Sequence, residues 1–337
     1  MTRVAVHGSY FANNFGDTLL VRLMCDRVAD RVGAGNVYLA VPGDEDEQRA
    51  IGYPVAAPEQ RATVDHLVFA GGGYFGEPAG SWTARRKWYR RNGARHLDWV
   101  ADFERAAVHV LGVGYGPLTG RRFRSRVDAL LARAETVLLR DEESLGYYAG
   151  DAAQCVDLAL SMRSSVKPGD KRAVGLHLYN LNDAHRQSLI ALAARRFPDR
   201  ELLLLNDSKR DNYGSAAVAA QVEALRADGR SVDVVKYTDV DTLVGHLDRC
   251  AVVVTSKLHV GIVSIALGAA SLSIPFHPKV TRLYRQLGIS AFCEPYVGAD
   301  PTDAVARMMD AVDDYRPDRA AIAAGVAQID AALDAIR

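Results

Sequence analysis

Short apolar runs of strand length alternate with helical patterns along most of this 337-residue chain, and this alternation limits the fold more than any other feature. In the first half, Val4–His7 precedes a helical pattern over Thr18–Val32. Continuous apolar strands separated by helices are typical of parallel sheets covered on both faces. Further strands are predicted at Val37–Val41, His66–Ala70, Val108–Val113 and Thr136–Leu139, and further helices at Leu97–Ala107, Arg121–Arg133 and Asp141–Ala149.

The alternation is interrupted once, by the polar stretch Arg163–Arg172, which contains Pro and Gly and is predicted to be an interdomain linker. Strands are then predicted at Ala173–Leu178, Glu201–Leu205, Val232–Val235, Ala251–Thr255 and Ala270–Ile274. We therefore predict two Rossmann-like domains, over residues 1–162 and 173–300, followed by C-terminal helices over residues 301–337. Their parallel sheets are expected to face a central cleft that binds the ligands.

Charge and cysteine content exclude several classes of protein. Lys and Arg together number 41 and so do Asp and Glu, so no overall field attracts nucleic acid or an anionic membrane. The cysteines are scattered and lack metal-ligand spacing, which predicts buried free thiols in a reducing compartment and no metal site; they are Cys25, Cys155, Cys250 and Cys293. The longest apolar stretch, Val260–Leu272, is too short to span a bilayer, and we expect a cytoplasmic protein.

Polar and glycine-rich segments follow the first predicted strands. The loop HGSYFANNFGD contains Asn13, Asn14 and Asp17, and Asp17 either caps the next helix or faces a substrate. The segment VFAGGGYFG brings the backbone N–H groups of Gly71, Gly72 and Gly73 to a strand exit, where they could bind an anion; the alternative is a tight packing turn. The segment VLGVGYGPL repeats this feature one strand later.

Two cationic segments and a histidine follow later strands. Arg140 comes directly after TVLL, where its guanidinium could clamp a carboxylate or phosphate, unless it pairs on the surface with Asp141 or Glu142. His259 opens an apolar helix in TSKLHVGIVSIALG and is either a structural histidine or an acid–base group. Lys279 follows the next strand.

One stretch, GSWTARRKWYRRNGARH, is strongly basic and carries Trp82, Arg86 and Trp88. It is predicted to be a solvated loop, or a surface that stacks sugars and binds a diphosphate acceptor. A third interpretation is that residues 85–95 contact an anionic membrane peripherally, at its inner face. Nucleic acid is disfavoured because the rest of the chain is not basic.

The chain resembles the polysaccharide pyruvyl transferases. The resemblance rests on an ordered set of motifs over about residues 1–290: GSYFANNFGD, AGGGYFG, GVGYGP, RDEES, the D-x-A-L of Asp157–Leu160, SKLHVGIVSIALG and the Pro-x-His-Pro-Lys that ends at Lys279. It implies a GT-B-like fold and transfer of a pyruvyl group from phosphoenolpyruvate to sugar hydroxyls of a glycan or a lipid-linked glycan precursor, leaving a cyclic pyruvate ketal. It implies no cofactor.

The resemblance also implies residue roles. His259 would protonate the donor and Asp17 would accept the hydroxyl proton, while Arg140 and Lys279 would bind the donor's anions. Lys257 and the N–H groups of Gly71, Gly72 and Gly73 are further donor-binding candidates. Lys257 stands where the family often has Arg, so the bidentate fork is lost there. The predicted acceptor contacts are Asn14, Tyr74, Trp82, Arg86 and Trp88.

Two other functions remain open at this stage. A glycosyltransferase of the same two-domain architecture would use a nucleotide-sugar donor, and fold alone does not separate it from a pyruvyl transferase. A catalytically silent glycan-binding protein is the second alternative. It would have little use for Asp17, Arg140, His259 and Lys279 together at predicted strand exits.

Overall fold

The computed structural model describes residues 1–11, 14–78 and 80–336. The chain divides into two compact units, one formed by Met1–Leu158 with Ile322–Arg337 and the other by Ala159–Ala321. Each unit contains one parallel β-sheet, and helices connect the strands except between His66–Phe69 and Gly72–Phe75 of the first unit. The predicted α/β class with two Rossmann-like halves is therefore confirmed.

The first unit contains a seven-stranded parallel sheet. Its strands are β1 (Val4–His7), β2 (Val37–Leu39), β3 (His66–Phe69), β4 (Gly72–Phe75), β5 (Ala107–Tyr115), β6 (Ala134–Leu139) and β7 (Ala153–Gln154). They pair in the order β2-β1-β3-β5-β6-β7, and β4 pairs with β5. The helices are α1 (Phe15–Val32), α2 (Glu45–Ile51), α3 (Pro58–Arg61), α4 (Trp82–His96), α5 (Arg121–Ala132) and α6 (Glu142–Tyr147).

The second unit contains a five-stranded parallel sheet in the order β10-β9-β8-β11-β12. Its strands are β8 (Ala173–His177), β9 (Glu201–Leu205), β10 (Val232–Val235), β11 (Cys250–Thr255) and β12 (Ala270–Ser273). Its helices are α7 (Asp183–Arg196), α8 (Ala216–Ala227), α9 (Val240–Asp248), α10 (Leu258–Ala266), α11 (Pro278–Gln286) and α12 (Thr302–Asp310). Leu202–Leu205 of β9 are completely buried, which explains why this strand is a continuous apolar run rather than an alternating one.

The basic stretch is a helix, so its interpretation as a solvated loop is wrong, and so is the helix predicted over Leu97–Ala107. Helix α4 begins after Ser81, whose hydroxyl accepts a hydrogen bond from Ala84 N, and it ends at His96. The helical period is hidden in the sequence because the inward side of α4 is largely polar. Asn92 and His96 are buried there, and Asn92 Nδ2 donates to the carbonyl of Tyr74 at 3.2 Å.

The polar stretch Arg163–Arg172 belongs to the second unit and is attached to the end of α9. Ser165 N and Ser165 Oγ donate to Asp248 Oδ2 at 2.8 and 2.7 Å, and Lys171 Nζ donates to Asp248 Oδ1 at 2.9 Å. Burial opposes ionisation of Asp248, but hydrogen bonds from Ser164, Lys171 and Ser165 outweigh it and lower its pKa to about 2. Polar residues of this stretch therefore donate hydrogen bonds to one buried carboxylate.

The last helix, α13 (Arg319–Asp334), returns most of its length to the first unit. Arg31 Nε donates to Asp334 Oδ1 at 2.9 Å, and Arg27 pairs with Asp330, so the helix is tied to α1. Gly325 lies against Val156: a Cβ at this position would be 2.5 Å from Val156 Cγ1. Nothing in the sequence pattern indicates this return.

The cysteines are free thiols, as expected from their spacing. Cys25, Cys155 and Cys250 are buried, and Cys293 is half-buried. Burial raises the pKa of the Cys155, Cys250 and Cys293 thiols to about 12, so these thiols are poor nucleophiles near neutral pH.

Candidate functional site

The loop after β1 holds a carboxylate in the first turn of α1. Asn14 is the residue that caps this helix, because its side-chain oxygen accepts from Gly16 N at 3.2 Å. Asn14 Nδ2 in turn donates to Asp17 Oδ2 at 2.8 Å, and Asn14 N donates to Glu47 Oε1 at 2.7 Å. The capping role considered for Asp17 therefore belongs to Asn14, and Asp17 is left half-buried and oriented by the Asn14 amide. Asn13 lies outside the described residues.

The glycine-rich exit of β3 lies against this carboxylate. Gly72 has a φ of 132°, which only glycine adopts readily, and a Cβ there would be 3.7 Å from Asp17 Oδ1. Gly71 is packed under β5, since its Cβ would be 3.2 Å from the carbonyl oxygen of Gly112. Gly73 is exposed. The triplet therefore combines close packing with an exposed backbone segment.

Arg140 follows β6 and lies beside the same strand exits. A Cβ on Gly114 would be 2.9 Å from Arg140 Nη2 and 3.5 Å from the carbonyl oxygen of Gly72. The predicted surface pair is replaced by a buried one: Arg140 Nη1 donates to Asp157 Oδ2 at 3.4 Å, and Arg140 Nε lies 3.6 Å from Asp141 Oδ2. Arg140 is only 7% exposed, so most of its guanidinium is enclosed by these two carboxylates.

These residues share one edge of the first sheet. Asp17 follows β1, Gly72 follows β3, Gly114 belongs to β5 and Arg140 follows β6, and these four strands are consecutive neighbours. The edge thus presents a carboxylate, an exposed glycine backbone and an enclosed guanidinium.

In the second unit, three side chains from the central strands form a charged cluster, which we call the Asp207 cluster: His177, Asp207 and Lys257. Lys257 Nζ donates to Asp207 Oδ2 at 2.6 Å, and His177 Nε2 lies 3.2 Å from Asp207 Oδ1. Burial opposes ionisation of Asp207, but the neighbouring His177 and Lys257 outweigh it and hold the pKa of this carboxyl well below its usual range. Asp207 is therefore an ionised carboxylate that lies between the Lys257 amine and the His177 ring.

The aromatic ring of Tyr179 lies beside this cluster. Lys257 Nζ lies 4.1 Å from the centre of the Tyr179 ring, and the Arg210 guanidinium lies 5.4 Å from it. Both distances are within the range of cation–π attraction. Ser256 Oγ donates to the carbonyl oxygen of Tyr179 at 2.9 Å, which connects the ring's backbone to the start of α10.

His259 and Lys279 occupy equivalent places after the next strands. His259 is the second residue of α10, which follows β11, and Lys279 is the second residue of α11, which follows β12. Strands β11 and β12 are paired in parallel, from Val252 opposite Ala270 to Thr255 opposite Ser273. Both side chains are half-buried. The first turns of two helices and their two basic side chains thus come from adjacent strand exits.

The predicted acceptor contacts divide into exposed and packed residues. Tyr74 is 5% exposed, donates its hydroxyl to the carbonyl of Ala70 at 2.6 Å and stacks on His96. Burial, with Asp17 and Tyr10 nearby, raises the pKa of Tyr74 well above its usual value. Trp88 packs on Phe123 with ring centres 5.3 Å apart. Trp82 and Arg86 lie on the outer side of α4 and are exposed.

His177 and Asp207 are candidate site residues that were not predicted from the sequence, and Asp157 was predicted only as part of a motif, without a role. His177 ends β8, Asp207 follows β9 by two residues, and Asp157 lies in the D-x-A-L motif. A polar residue at the carboxyl end of an apolar run was the available signal. It was used for Arg140 and His259 but not for LLLLND or GLHLYN.

The described residues contain neither a candidate metal site nor a candidate membrane span. Within the described residues, no three His, Cys, Asp or Glu side chains are grouped as a metal site would require. Among the helices of residues 1–11, 14–78 and 80–336, each is too short or too polar to cross a bilayer.

The chain is similar to known proteins in fold and in family motifs. A UDP-GlcNAc 2-epimerase from Neisseria meningitidis bound to UDP-GlcNAc has 6% identity and a TM-score of 0.58, with 100% of this chain and 99% of that chain covered. HepE from Anabaena in complex with UDP has 12% identity and a TM-score of 0.52, with coverages of 100% and 94%. The same Anabaena protein with UDP-glucose has 13% identity, a TM-score of 0.51 and the same coverages. These likenesses show the GT-B-like fold alone.

The family comparison is more specific than the structural one. No curated protein is a significant match to the chain. The model of the polysaccharide pyruvyl transferase family matches residues 14–278, a span that runs from Asn14 through Arg140, Lys257 and His259 and stops one residue before Lys279. The match covers most of the sequence, and the chain therefore belongs to the polysaccharide pyruvyl transferase family.

Proposed function

We propose that the protein transfers the pyruvyl group of phosphoenolpyruvate to hydroxyls of a glycan or glycan precursor and closes a cyclic pyruvate ketal. Family membership gives the reaction class. The structural observation that supports the proposal best is the pair of first-turn residues His259 and Lys279, which follow the adjacent strands β11 and β12. This arrangement combines an acid–base group, a cation and two helix N-termini at neighbouring strand exits.

The donor carries a carboxylate and a phosphate, so its binding needs positive charge and N–H donors. In the second unit, we assign this role to Lys279, to Lys257 and to the first-turn N–H groups of α10 and α11. Lys257 already neutralises Asp207, so its contribution is smaller than that of an unshared cation. In the first unit, Arg140 and the N–H groups of Gly71–Gly73 are the candidates for an anion, and Asp141 and Asp157 reduce the net charge of Arg140.

In the proposed chemistry the donor's methylene carbon is protonated, two sugar hydroxyls add to the neighbouring carbon, and phosphate leaves. His259 delivers a proton to the methylene carbon of phosphoenolpyruvate, which becomes a methyl group and leaves an oxocarbenium-like carbon. A sugar hydroxyl oxygen bonds to that carbon, and Asp17 takes the hydroxyl proton. The C–O bond to phosphate breaks, and a second hydroxyl of the same sugar bonds to the carbon and closes the ketal. The second hydroxyl proton leaves with inorganic phosphate. Asp17 then releases its proton to solvent and His259 takes one back, so atoms and charges balance.

On the acceptor side, the proposal is narrower than the sequence suggested. Asn14 holds the Asp17 carboxylate through a 2.8 Å hydrogen bond, so we propose these two residues as the acceptor-orienting pair. Tyr74 and Trp88 pack within the first unit, and we do not include them in the acceptor site. Trp82 and Arg86 lie on an exposed helix face, and we do not include them in the acceptor site either.

A nucleotide-sugar glycosyltransferase is the competing function. The observation in its favour is that the similar structures contain UDP, UDP-GlcNAc or UDP-glucose. Their identity to this chain is at most 13%, so the likeness carries the fold and not the ligand. A glycan-binding protein without catalysis is the other alternative, and it predicts no release of phosphate from phosphoenolpyruvate.

Phosphate release tests the proposal. The purified protein is incubated with phosphoenolpyruvate and a panel of sugars that contain neighbouring hydroxyl pairs, and sugar-dependent phosphate is measured. We expect His259→Ala to abolish release while phosphoenolpyruvate still binds, because the acid is lost but the cations remain. His246→Ala on α9 is the matched control and should retain the wild-type rate. A His259→Ala variant that turns over at the wild-type rate would show that His259 is not the acid.

A further inference from the structure

The outer side of α4 is a dense patch of uncompensated positive charge. Arg86, Lys87, Arg90 and Arg91 are all exposed, and we call them the basic face. Their spacing of three and four residues places them on one side of the helix. Trp82 lies at the start of the same side and is 65% exposed, with the Arg86 guanidinium 5.5 Å from its ring centre.

The structure offers no internal reason for this charge. Among the residues that the structure describes, none of the four cations of the basic face forms a salt bridge with a carboxylate. Arg85 and Arg95 differ: Arg85 Nη1 lies 3.4 Å from Glu77 Oε1, and the Arg95 guanidinium lies 5.2 Å from the Phe11 ring centre. Like charges at these spacings destabilise a helix, so the basic face costs stability that an external anion would restore.

The opposite side of α4 is fixed to the body of the first unit. His96 Nδ1 and His7 Nε2 are 2.8 Å apart, and both rings are almost fully buried. Trp88 packs on Phe123, and Tyr89 Oη accepts a hydrogen bond from Gly120 N at 2.7 Å. The basic face is therefore presented on a helix whose orientation is set by packing.

The shape of the patch selects among anionic partners. Side chains on the outside of a helix diverge, so the four cations do not converge on one small anion as they would in a pocket. They suit an extended, roughly flat array of negative charges. An exposed Trp beside such cations is typical of segments that lie in the headgroup region of a bilayer, where the indole is partly in apolar and partly in wet surroundings.

We propose that the basic face and Trp82 dock this protein peripherally on an anionic phospholipid surface. The cations contact lipid phosphates, and Trp82 enters the headgroup region. The chain has no net charge, so the attraction comes from a local patch and not from an overall field. This inference does not depend on pyruvyl transfer and holds for any reaction that the protein catalyses.

Vesicle binding tests the proposal with the full-length protein. Co-sedimentation is measured with vesicles of phosphatidylcholine alone and of phosphatidylcholine mixed with phosphatidylglycerol, at low and high salt. We expect binding to the mixed vesicles only, reversed by salt. Arg90→Gln with Arg91→Gln should weaken it by about 25-fold, about fivefold for each cation. Trp82→Ala should weaken it without changing its salt dependence.

The matched control removes the same charge from the other unit. Arg163→Gln with Lys236→Gln replaces two exposed cations and should bind the mixed vesicles like the wild type. Circular dichroism and thermal unfolding verify that each variant is folded. Absence of wild-type binding to the mixed vesicles would overturn the proposal. Equal weakening in the α4 and control variants would also overturn it, because binding would then follow net charge and not this helix.

Discussion

One buried carboxylate determines where the amine of Lys257 lies. Asp207 is 2% exposed and separates the Lys257 amine from the His177 ring. An ionised carboxylate in such surroundings is stable only with its partners, and each partner is in turn positioned by it. A lysine is a point charge without the planar fork of an arginine, and the Asp207 contact supplies the fixed direction that Lys257 would otherwise lack.

Replacing Asp207 by Asn should separate this positioning effect from a loss of stability. We expect Asp207→Asn to raise the KM for phosphoenolpyruvate by about tenfold, the equivalent of about 1.4 kcal/mol, because Lys257 loses its anchor over Tyr179. Asp207→Glu should recover part of the loss. Steady-state kinetics of phosphate release measure both values.

Asp248→Asn is the matched control for a buried, ion-paired carboxylate in the same unit. It should lower the free energy of unfolding by about 1–3 kcal/mol, because Lys171 loses its partner, and leave the KM unchanged. If the two substitutions changed the KM equally, Asp207 would be a stability residue like Asp248 and would have no positioning role.

At the scale of elements, each predicted strand agrees with an observed strand within one or two residues, whereas β4, β7 and α4 were not predicted. Parallel strands such as β8 and β9 are buried on both faces, so their apolar runs are visible without tertiary information. The inward side of α4 contains Asn92 and His96, whose burial depends on Tyr74 and His7 from other segments. The carboxyl ends of the strands could be predicted from the sequence. The order of the strands, which brings Asp207 next to Lys257, could not be predicted.

The contact between Arg140 and strand β5 can be used to test whether Arg140 binds the donor. A Cβ at Gly114 would lie 2.9 Å from Arg140 Nη2, at the far end of a flexible side chain, so the strand itself need not move. We expect Gly114→Ala to displace the guanidinium and weaken phosphoenolpyruvate binding by about tenfold. About 1–3 kcal/mol should be lost in stability, because Arg140 moves away from the buried Asp157. Isothermal titration calorimetry and thermal unfolding measure the two effects.

Gly146→Ala in α6 is the control, because a Cβ there meets nothing within 4 Å. It should stabilise the protein by about 0.5–1 kcal/mol and leave donor binding unchanged. If Gly114→Ala also left donor binding unchanged, Arg140 would not belong to the donor site.

At the scale of the whole molecule, the chain leaves the first unit, builds the second and then returns. Helix α13 packs on the first unit through Gly325 and through the contacts of Arg27 and Arg31 with Asp330 and Asp334. The Ala-rich sequence predicts a helix there but not its destination, because Ala-rich helices fit many surfaces. The unit that a terminal helix joins is decided by contacts far away in sequence.

The close approach at Gly325 makes this return testable. In Gly325→Ala the new methyl group would lie 2.5 Å from Val156 Cγ1 and 3.0 Å from Val156 N, so the helix must shift. We expect a loss of about 1–3 kcal/mol in the free energy of unfolding, measured by urea denaturation. Gly245→Ala in α9 meets nothing within 4 Å and should not destabilise. Equal stability of the two variants would contradict the packing of α13 on Val156.

We propose that this GT-B-like fold takes phosphoenolpyruvate as its donor. The most direct measurement is the unfolding temperature of the protein with phosphoenolpyruvate and, in parallel, with UDP-glucose and UDP-GlcNAc. A ligand at 100 times its Kd stabilises the folded state by about 2.7 kcal/mol. We expect a rise with phosphoenolpyruvate that is lost in Lys279→Gln and kept in Lys236→Gln. A rise with a nucleotide-sugar alone would contradict the proposal.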